Sequence, residues 1–498
     1  MRKKTKTTSE HEQNMTSDEN TTNNENSENT KIQVQSNTEK IRNLSLFAIT
    51  WPILVEVFLQ MAMKFSDVFM LSFVSDEAVA AIGIANQIMI FTFVLFNFTA
   101  MGCGVVVSQF VGAGKQRDVS RTIANAILIN LLFGLVMSAI VVGFRKPLLG
   151  IFDLAPELMG YAEIYMIIVG GALFMQAMVL TLSSVLQAQG YTKDVMFTVM
   201  GMNILNVFGN YVFIFGALGF PALGVTGVAI STAACRVLAM ITLFILMYRR
   251  VEFKIAFKDY FLLKGEYVKK IMKIGIPGAG EHLSHNTSQL TITAFIATLG
   301  TAAIATRVYA HNYAMLMTMF SMAMSKGMQI YIGQLVGAGL MDLAYKRMFR
   351  GLKIAMGVAL ALGIVMAVFG EFFIGIFTND PDIIAVGAVL LIIGALLEPG
   401  RTTNLVVISS LRAAGDAKFP VVMGILSMWG ISVTLAYFLG IHLGYGLIGV
   451  WIAILADEWF RAIFMLFRWR SKKWQRMRLV DDEKSSGAAA AKKGKSTA

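Results

Sequence analysis

Glu56, Gln60, Lys64 and Asp67 lie four, four and three residues apart inside the apolar run 44–72, which places all four on one face of a helix. A charge near the middle of a membrane helix costs about 2.5 to 3.5 kcal/mol on insertion scales, and such groups usually face a bundle interior and mark an ion or substrate path. The Asp67 carboxylate can hold a monovalent cation or a proton. Lys64 offers the competing structural reading, an intrahelical ion pair, and a paired Asp holds its proton less readily, which favours Na⁺. Asn203, Asn206 and Asn210 follow in a later apolar run, the last two sharing a face at a spacing of four. Their amide oxygens are hard ligands suited to Na⁺ beside Asp67, with Thr232 as a further donor; on their own they would serve as helix-packing hydrogen bonds.

These residues sit in a chain that contains itself twice, 225 residues apart. Pro52 and Glu56 recur as Pro277 and Glu281, Gly102 as Gly327, and Gln109-Phe-Val-Gly-Ala-Gly114 as Gln334-Leu-Val-Gly-Ala-Gly339. Leu186, Ala188, Gly190 and Lys193 map onto Leu411, Ala413, Gly415 and Lys418, and Arg236 onto Arg461. The same offset puts Glu281, His285 and Gln289 on the matching stripe of the seventh helix but sets Ile292 opposite Asp67. One carboxylate in one half suffices for a single coupling cation. Glu56, Gln60, Lys64, Glu281, His285 and Gln289 are substrate or gating candidates, and the repeat-matched glutamates can equally be structural. Glu398 and Arg401 flank Pro399-Gly400, which is expected to break the tenth helix and free carbonyls; a kink held by an i, i+3 pair is the bland alternative. Arg236, Arg461, Asp457 and Glu458 read as structural pairs, and His282 and His285 as satisfied core histidines.

The elements that must position these groups are twelve apolar runs long enough to cross a bilayer. They lie at about 44–72, 79–110, 122–144, 158–186, 195–217 and 224–248, then 274–298, 302–335, 351–378, 382–410, 419–441 and 444–468. The expected fold is an all-α membrane protein of two six-helix lobes related by internal duplication in parallel. The lobes are 42–248 and 274–468, joined by a linker at 249–273, with a disordered tail at 1–41 and a basic tail at 469–498. Whole-bundle duplication is a common plan for secondary transporters, whose substrate site lies between halves that rock.

Composition agrees. The 498 residues are 56% hydrophobic and only 15% charged, with a mean hydropathy of +0.63, far from a soluble domain. Basic residues gather in alternate connections, 112–121, 249–273 and 339–353, with Arg145-Lys146 the exception. The positive-inside rule therefore puts these loops and both termini in the cytoplasm of a multi-pass bacterial inner-membrane protein. The net charge of +12 then reflects retention and contact with anionic lipid, not nucleic-acid binding. Cys103 and Cys235 fall inside apolar spans and suggest neither a disulfide nor a metal. Gly112-Ala-Gly-Lys115 lacks P-loop spacing, and no nucleophile-base pair is recognisable, so neither a membrane enzyme nor a cofactor is expected. Energy must come from an ion gradient, and one cation falling through about 150 mV supplies roughly 3.5 kcal/mol.

Taken together, Pro52 with Phe65-Ser-Asp67, Gln109-x-x-Gly-Ala-Gly114, Gln187-Ala-Gln-Gly190, Asn206-x-x-x-Asn210-Tyr-x-Phe-Ile-Phe-Gly216, Gly224-Val-x-Gly227 and Ser410-Leu-Arg-Ala-Ala-Gly415-Asp make residues 42–470 resemble the multidrug and toxic compound extrusion (MATE) family. The resemblance implies a V-shaped pair of six-helix lobes that exports cationic or amphipathic compounds in exchange for Na⁺ or H⁺. It places Asp67 at the family's helix-one acid and Asn206 with Asn210 at the polar pair beside it, where some members carry Asp in place of Asn210. In other members a helix-seven and a helix-ten acid serve the second lobe; His285 and Arg401 stand there in this chain, with Glu281 and Glu398 about one turn away. The expected protein is a monomeric efflux antiporter whose partners are the bilayer and small organic cations. A flippase for lipid-linked precursors and a non-transporting receptor or scaffold are the alternatives.

Overall fold

With no water in a hydrocarbon core, a spanning segment must satisfy its backbone internally, and long apolar runs do so as helices. The computed structural model describes residues 39, 41–251, 260 and 263–480. Its first half comprises α1 (Leu46–Ser72), α2 (Asp76–Gly112), α3 (Gln116–Gly143), α4 (Pro156–Gly170 and Leu173–Ala188), α5 (Thr192–Phe215) and α6 (Val225–Arg250). The second comprises α7 (Gly265–Ala297), α8 (Thr301–Gly337), α9 (Met341–Val368), α10 (Pro381–Ala413), α11 (Lys418–His442) and α12 (Gly446–Arg470). Counterparts α2 and α8, and α3 and α9, begin and end at one common offset, and so do the short helices Arg145–Gly150 and Gly370–Gly375. The duplication read from single residues is thus a duplication of whole elements.

Eight of these helices are apolar and long enough to span a membrane on composition alone, and nine when the two pieces of α4 count as one span. The other three, α7, α8 and α12, carry Glu281, Arg307, Lys326 and the Asp457, Glu458 and Arg461 group. Two helices are less regular than their apolar runs suggest. The pieces of α4 meet at 46° beside the π turn Met166–Gly170, and α11 passes from α-helix into π turns at Met428–Val433 and Ala436–His442. By contrast α10 runs unbroken through Pro399 and Gly400, so the expected break does not occur. Proline there removes one backbone donor, and Trp459 Nε1 of α12 donates to the nearby Leu396 carbonyl at 2.9 Å, so a side chain supplies a donor beside the gap.

The cores show how the halves are tied. One cluster joins Val105, Val106, Ile123, Leu182, Leu186, Val195 and Leu243 of the first half to Tyr267, Ile271 and Ile274 of α7. Its counterpart joins Ile49 and Ile53 of α1 to Met328, Leu335, Met348, Val407 and Trp469 of the second half. The far ends of these two helices stay at home, Met70 and Leu71 packing with α2 and α4, and Ile292 and Ile296 with α10 and α12. Each first helix therefore starts in the opposite lobe and finishes in its own.

At the C-terminal ends of α2 and α8 the lobes touch backbone to backbone. A Cβ at Gly112 would strike the Gln334 carbonyl, and one at Gly337 the Gln109 carbonyl. Gln109 Nε2 donates to the Ala413 carbonyl at 2.6 Å, and Gln334 Nε2 to the Ala188 carbonyl at 2.8 Å. Two residues on, Gly114 and Gly339 turn the chain at φ of 69° and 78°, a region that side chains disfavour. The repeated Gly-Ala-Gly motif thus supplies both the close approach and the turn.

Helix α7 begins at Gly265, inside the segment read as a linker, and residues 252–259, 261 and 262 lie outside the described residues. So do most of the N-terminal tail and residues 481–498. Residues 471–480, assigned to the basic tail, fold back: Trp474 stacks on Trp469 at 4.2 Å and both are fully buried. Leu479 and Val480 then enter the core of the first half, Leu479 N donating to Gln109 Oε1 at 2.8 Å and Arg478 Nη2 to the Gly337 carbonyl at 2.5 Å. This stretch straps one lobe to the other.

Candidate cation-binding site

The last turns of α1 lie against α5, and α5 against α6, which brings four separated polar residues into one chain of hydrogen bonds. Asn210 Nδ2 donates to Asp67 Oδ1 at 3.0 Å and to Asn206 Oδ1 at 3.3 Å. Asn206 Nδ2 donates to Thr232 Oγ1 at 3.4 Å, and Ser231 Oγ to the Asn206 carbonyl at 3.2 Å. Asn206 and Asn210 are fully buried, and Asn210 Oδ1 has no hydrogen-bond partner among the described residues. A buried amide oxygen left unsatisfied beside a carboxylate is a donor set without its acceptor load, the chemistry that suits a small hard cation. Gly209 permits this proximity, since a Cβ there would meet Ser231 of α6.

Lys64 does not compete for Asp67. It is exposed, and no Lys64–Asp67 ion pair forms among the described residues. A three-residue spacing allows such a pair but does not compel it, and here Asp67 turns inward to α5. Arg236 of α6 has its guanidinium 5.8 Å from the Phe93 ring, and its Nη1 is buried without a hydrogen-bond partner among the described residues. Asn203 is engaged elsewhere, donating to the Leu59 carbonyl at 2.8 Å.

The repeat-matched glutamates hold their lobes together. Glu56 accepts from Gln187 Nε2 at 2.5 Å and Gln60 Nε2 at 3.2 Å, with Lys326 Nζ of the other half at 3.9 Å. Glu281 pairs with Arg412. Both partners stand 131 residues further on, so one architectural contact is made by an amide in one lobe and by a guanidinium in the other. Sequence reasoning did not identify Gln187 or Arg412 as partners, although the common spacing was present as a signal.

In the second lobe the polar residues move to other helices. Arg401 reaches Glu398 at 2.5 Å and Glu458 at 3.3 Å, while Arg461 reaches Glu458 at 3.2 Å and Asp457 at 2.9 Å. Asn404 Nδ2 donates to Glu458 Oε2 at 2.7 Å, Ser427 Oγ to Asp457, and Thr318 Oγ1 to Glu398 at 3.4 Å. Three carboxylates and two guanidiniums thus share a mostly buried network on α8, α10, α11 and α12. His285 contributes a backbone carbonyl to Ser288 at 2.8 Å, as Gln289 does to Thr293 at 2.6 Å; neither side chain joins the network through a hydrogen bond among the described residues. No group of three or more His, Cys, Asp and Glu suited to a metal ion occurs among the described residues.

Comparison with known proteins follows the same division into halves. The family MatE matches residues 52–212 and again 277–438. An uncharacterized transporter of Bacillus subtilis, YisQ, is 46% identical over 433 residues, 87% of this chain and 95% of that one. A probable multidrug resistance protein NorM of Thermotoga maritima is 26% identical over 441 residues, 88% and 94% of the two chains. In fold, the chain is similar to the bent form of the Vibrio cholerae MATE transporter VcmN, with a TM-score of 0.80 at 20% identity, covering 89% of this chain and 98% of that one.

Proposed function

The chain belongs to the MatE family of membrane transporters, and from that premise we propose that it is a secondary active antiporter exporting cationic or amphipathic organic compounds in exchange for Na⁺ or H⁺. The observation that carries the reading is the chain from half-buried Asp67 through buried Asn210 and Asn206 to Thr232, with Asn210 Oδ1 without a hydrogen-bond partner among the described residues. Asp67 would take the coupling ion. Half a turn of the Asn210 amide would replace a donor to Asp67 by an acceptor, so that the same side chain serves the unloaded and the loaded site. Thr232 and Asn206 would complete or orient the oxygen set.

Coupling would run along α1. Its outer end holds Asp67 in the first lobe and its inner end lies in the core of the second, so any shift of the Asp67 turn loads the joint between lobes. Pro52, which lacks the donor of a regular turn, stands in the stretch of α1 held by the second lobe, between Ile49 and Ile53. On the positive-inside reading, the ends of α2 and α8 face the cytoplasm of a bacterial cell, with both termini on that side. Their backbone contact would then seal the inner face while the lobes part outward, and transport would alternate between this state and one open to the cytoplasm. Glu56, Glu281, Glu398 and Arg401 would act as joints within lobes.

Efflux of a fluorescent cationic dye from proteoliposomes tests this, under an imposed Na⁺ gradient and then an imposed H⁺ gradient. Wild-type protein is expected to lower luminal dye under one of them, naming the ion, and Asp67→Asn to abolish the gradient-driven part while leaving the protein folded. An Asp67→Asn variant as active as wild type would sink the assignment.

A further inference from the structure

Where α1 begins, a cavity of about 430 Å³ opens between its first turn and the facing helices α8 and α9, lined by Arg42, Ser45, Phe47, Tyr331, Arg347 and Arg350 among others. Three arginines therefore line one space, and no carboxylate lines it among the described residues. None of the three forms an ion pair among the described residues, whereas the neighbouring Asp342 and Lys472 pair with each other at 3.8 Å. The start of α1 adds its own positive end: Ser45 caps the Ala48 N–H at 3.4 Å, and the Leu46 and Phe47 N–H groups precede the first intrahelical acceptors. Tyr331 is the independent sign of a ligand. It is 1% exposed, lines this cavity together with Arg347 and Arg350, and its hydroxyl is buried without a hydrogen-bond partner among the described residues. Buried hydroxyls are rarely left so.

We propose that this cavity binds the phosphate of an anionic phospholipid headgroup. Guanidinium pairs, a helix N-terminus and a hydroxyl donor form a set matched to a phosphate's several acceptor oxygens. Free phosphate offers the same chemistry; the rim favours the lipid, because Phe47 and Ile354 stand 77% and 53% exposed beside the charges, an apolar border on which acyl chains would lie. On the orientation proposed above, the lipid belongs to the cytoplasmic leaflet. Because the site bridges α1 to α8 and α9, an occupied headgroup would pin the inner half of α1 to the second lobe. This binding is read without transport, so it can fail while the antiport reading stands, and the reverse.

The experiment titrates the purified full chain in detergent with phosphatidylglycerol, phosphatidylcholine or inorganic phosphate, reading retained lipid by native mass spectrometry and the thermal midpoint. Phosphatidylglycerol should be retained and raise the midpoint, and phosphatidylcholine should not. Arg347→Gln with Arg350→Gln should weaken retention at least about tenfold, since hydrogen bonds to charged groups are the stronger kind. Tyr331→Phe, which preserves the packing and so reports even if the double variant fails to fold, should weaken it roughly two- to tenfold. Arg249→Gln, an exposed arginine on the end of α6, should bind as wild type does. Equal retention of both lipids, or unchanged phosphatidylglycerol binding in Tyr331→Phe and the double variant, overturns the site. Inorganic phosphate matching phosphatidylglycerol overturns the lipid as its occupant.

Discussion

Replacing Gly337 by Ala adds one methyl group where no room exists while the lobes are joined. The new Cβ meets the carbonyl and Cα of Gln109, main chain against main chain, and Gly112 meets Gln334 in the same way. No flexible side chain stands there to give, so the clash is relieved only by moving α2 from α8. Overpacking of this kind costs about 1 to 3 kcal/mol. The cost falls on the joined state alone, because the methyl is unopposed once the helices separate. A difference of that size moves a two-state ratio by roughly 5- to 150-fold. Spin labels on Arg117→Cys and Asp342→Cys, exposed positions just beyond α2 and α8, report the separation by pulsed electron resonance. Gly337→Ala and Gly112→Ala should each shift the distance distribution to longer values, and the double variant should add little, since both relieve one contact. Gly357→Ala in α9, whose Cβ would meet nothing within 4 Å, is the control and should leave the distances unchanged. Unaltered distances in Gly337→Ala would show that the contact between α2 and α8 does not hold this state together.

Two further outcomes follow from the packing. Arg461→Ala leaves Asp457 buried without its counter-charge and Glu458 with Arg401 alone; breaking a buried pair costs about 3 to 5 kcal/mol, and a fall in thermal midpoint far beyond that of an exposed-arginine variant such as Arg249→Ala should be seen. Ending the chain at Ser471 removes the Trp474 stack and both strap hydrogen bonds to Gln109 and Gly337, and should lengthen the distance between labels at 117 and 342 in the same sense as Gly337→Ala.

Much of this architecture was legible because membrane helices are local objects. Apolar runs marked them, and one constant offset revealed the duplication from Pro52 and Pro277 to Arg236 and Arg461. The shared faces of Glu56 with Asp67 and of Asn206 with Asn210 were accessible too, since helical periodicity fixes which side chains of one helix lie together. What periodicity does not hold is the partner on another helix. Thus Lys64, near Asp67 in sequence, turned outward, and Glu56 found Gln187 on α4. Pro399 removes one donor from α10 without breaking it, and nothing within α10 announces the Trp459 donor on α12 that stands beside the gap. The segment after α12 was misjudged by its charge: Trp469, Trp474, Leu479 and Val480, scattered among arginines and lysines, were the apolar signal of a packed strap.

The exchange of first helices has a consequence for how such a chain comes into being. Cut after α6, the first half would lack Tyr267, Ile271 and Ile274 from its core and would expose Ile49 and Ile53 of its own α1. Two copies of a single six-helix ancestor could have cured both defects by trading that helix, which is a domain-swapped dimer. Gene fusion would then have made the trade intramolecular. During synthesis the early helices would wait with a vacant slot and an unclaimed arm; α7 would fill most of the slot as the second half begins to emerge, and Leu479 and Val480 would close it last.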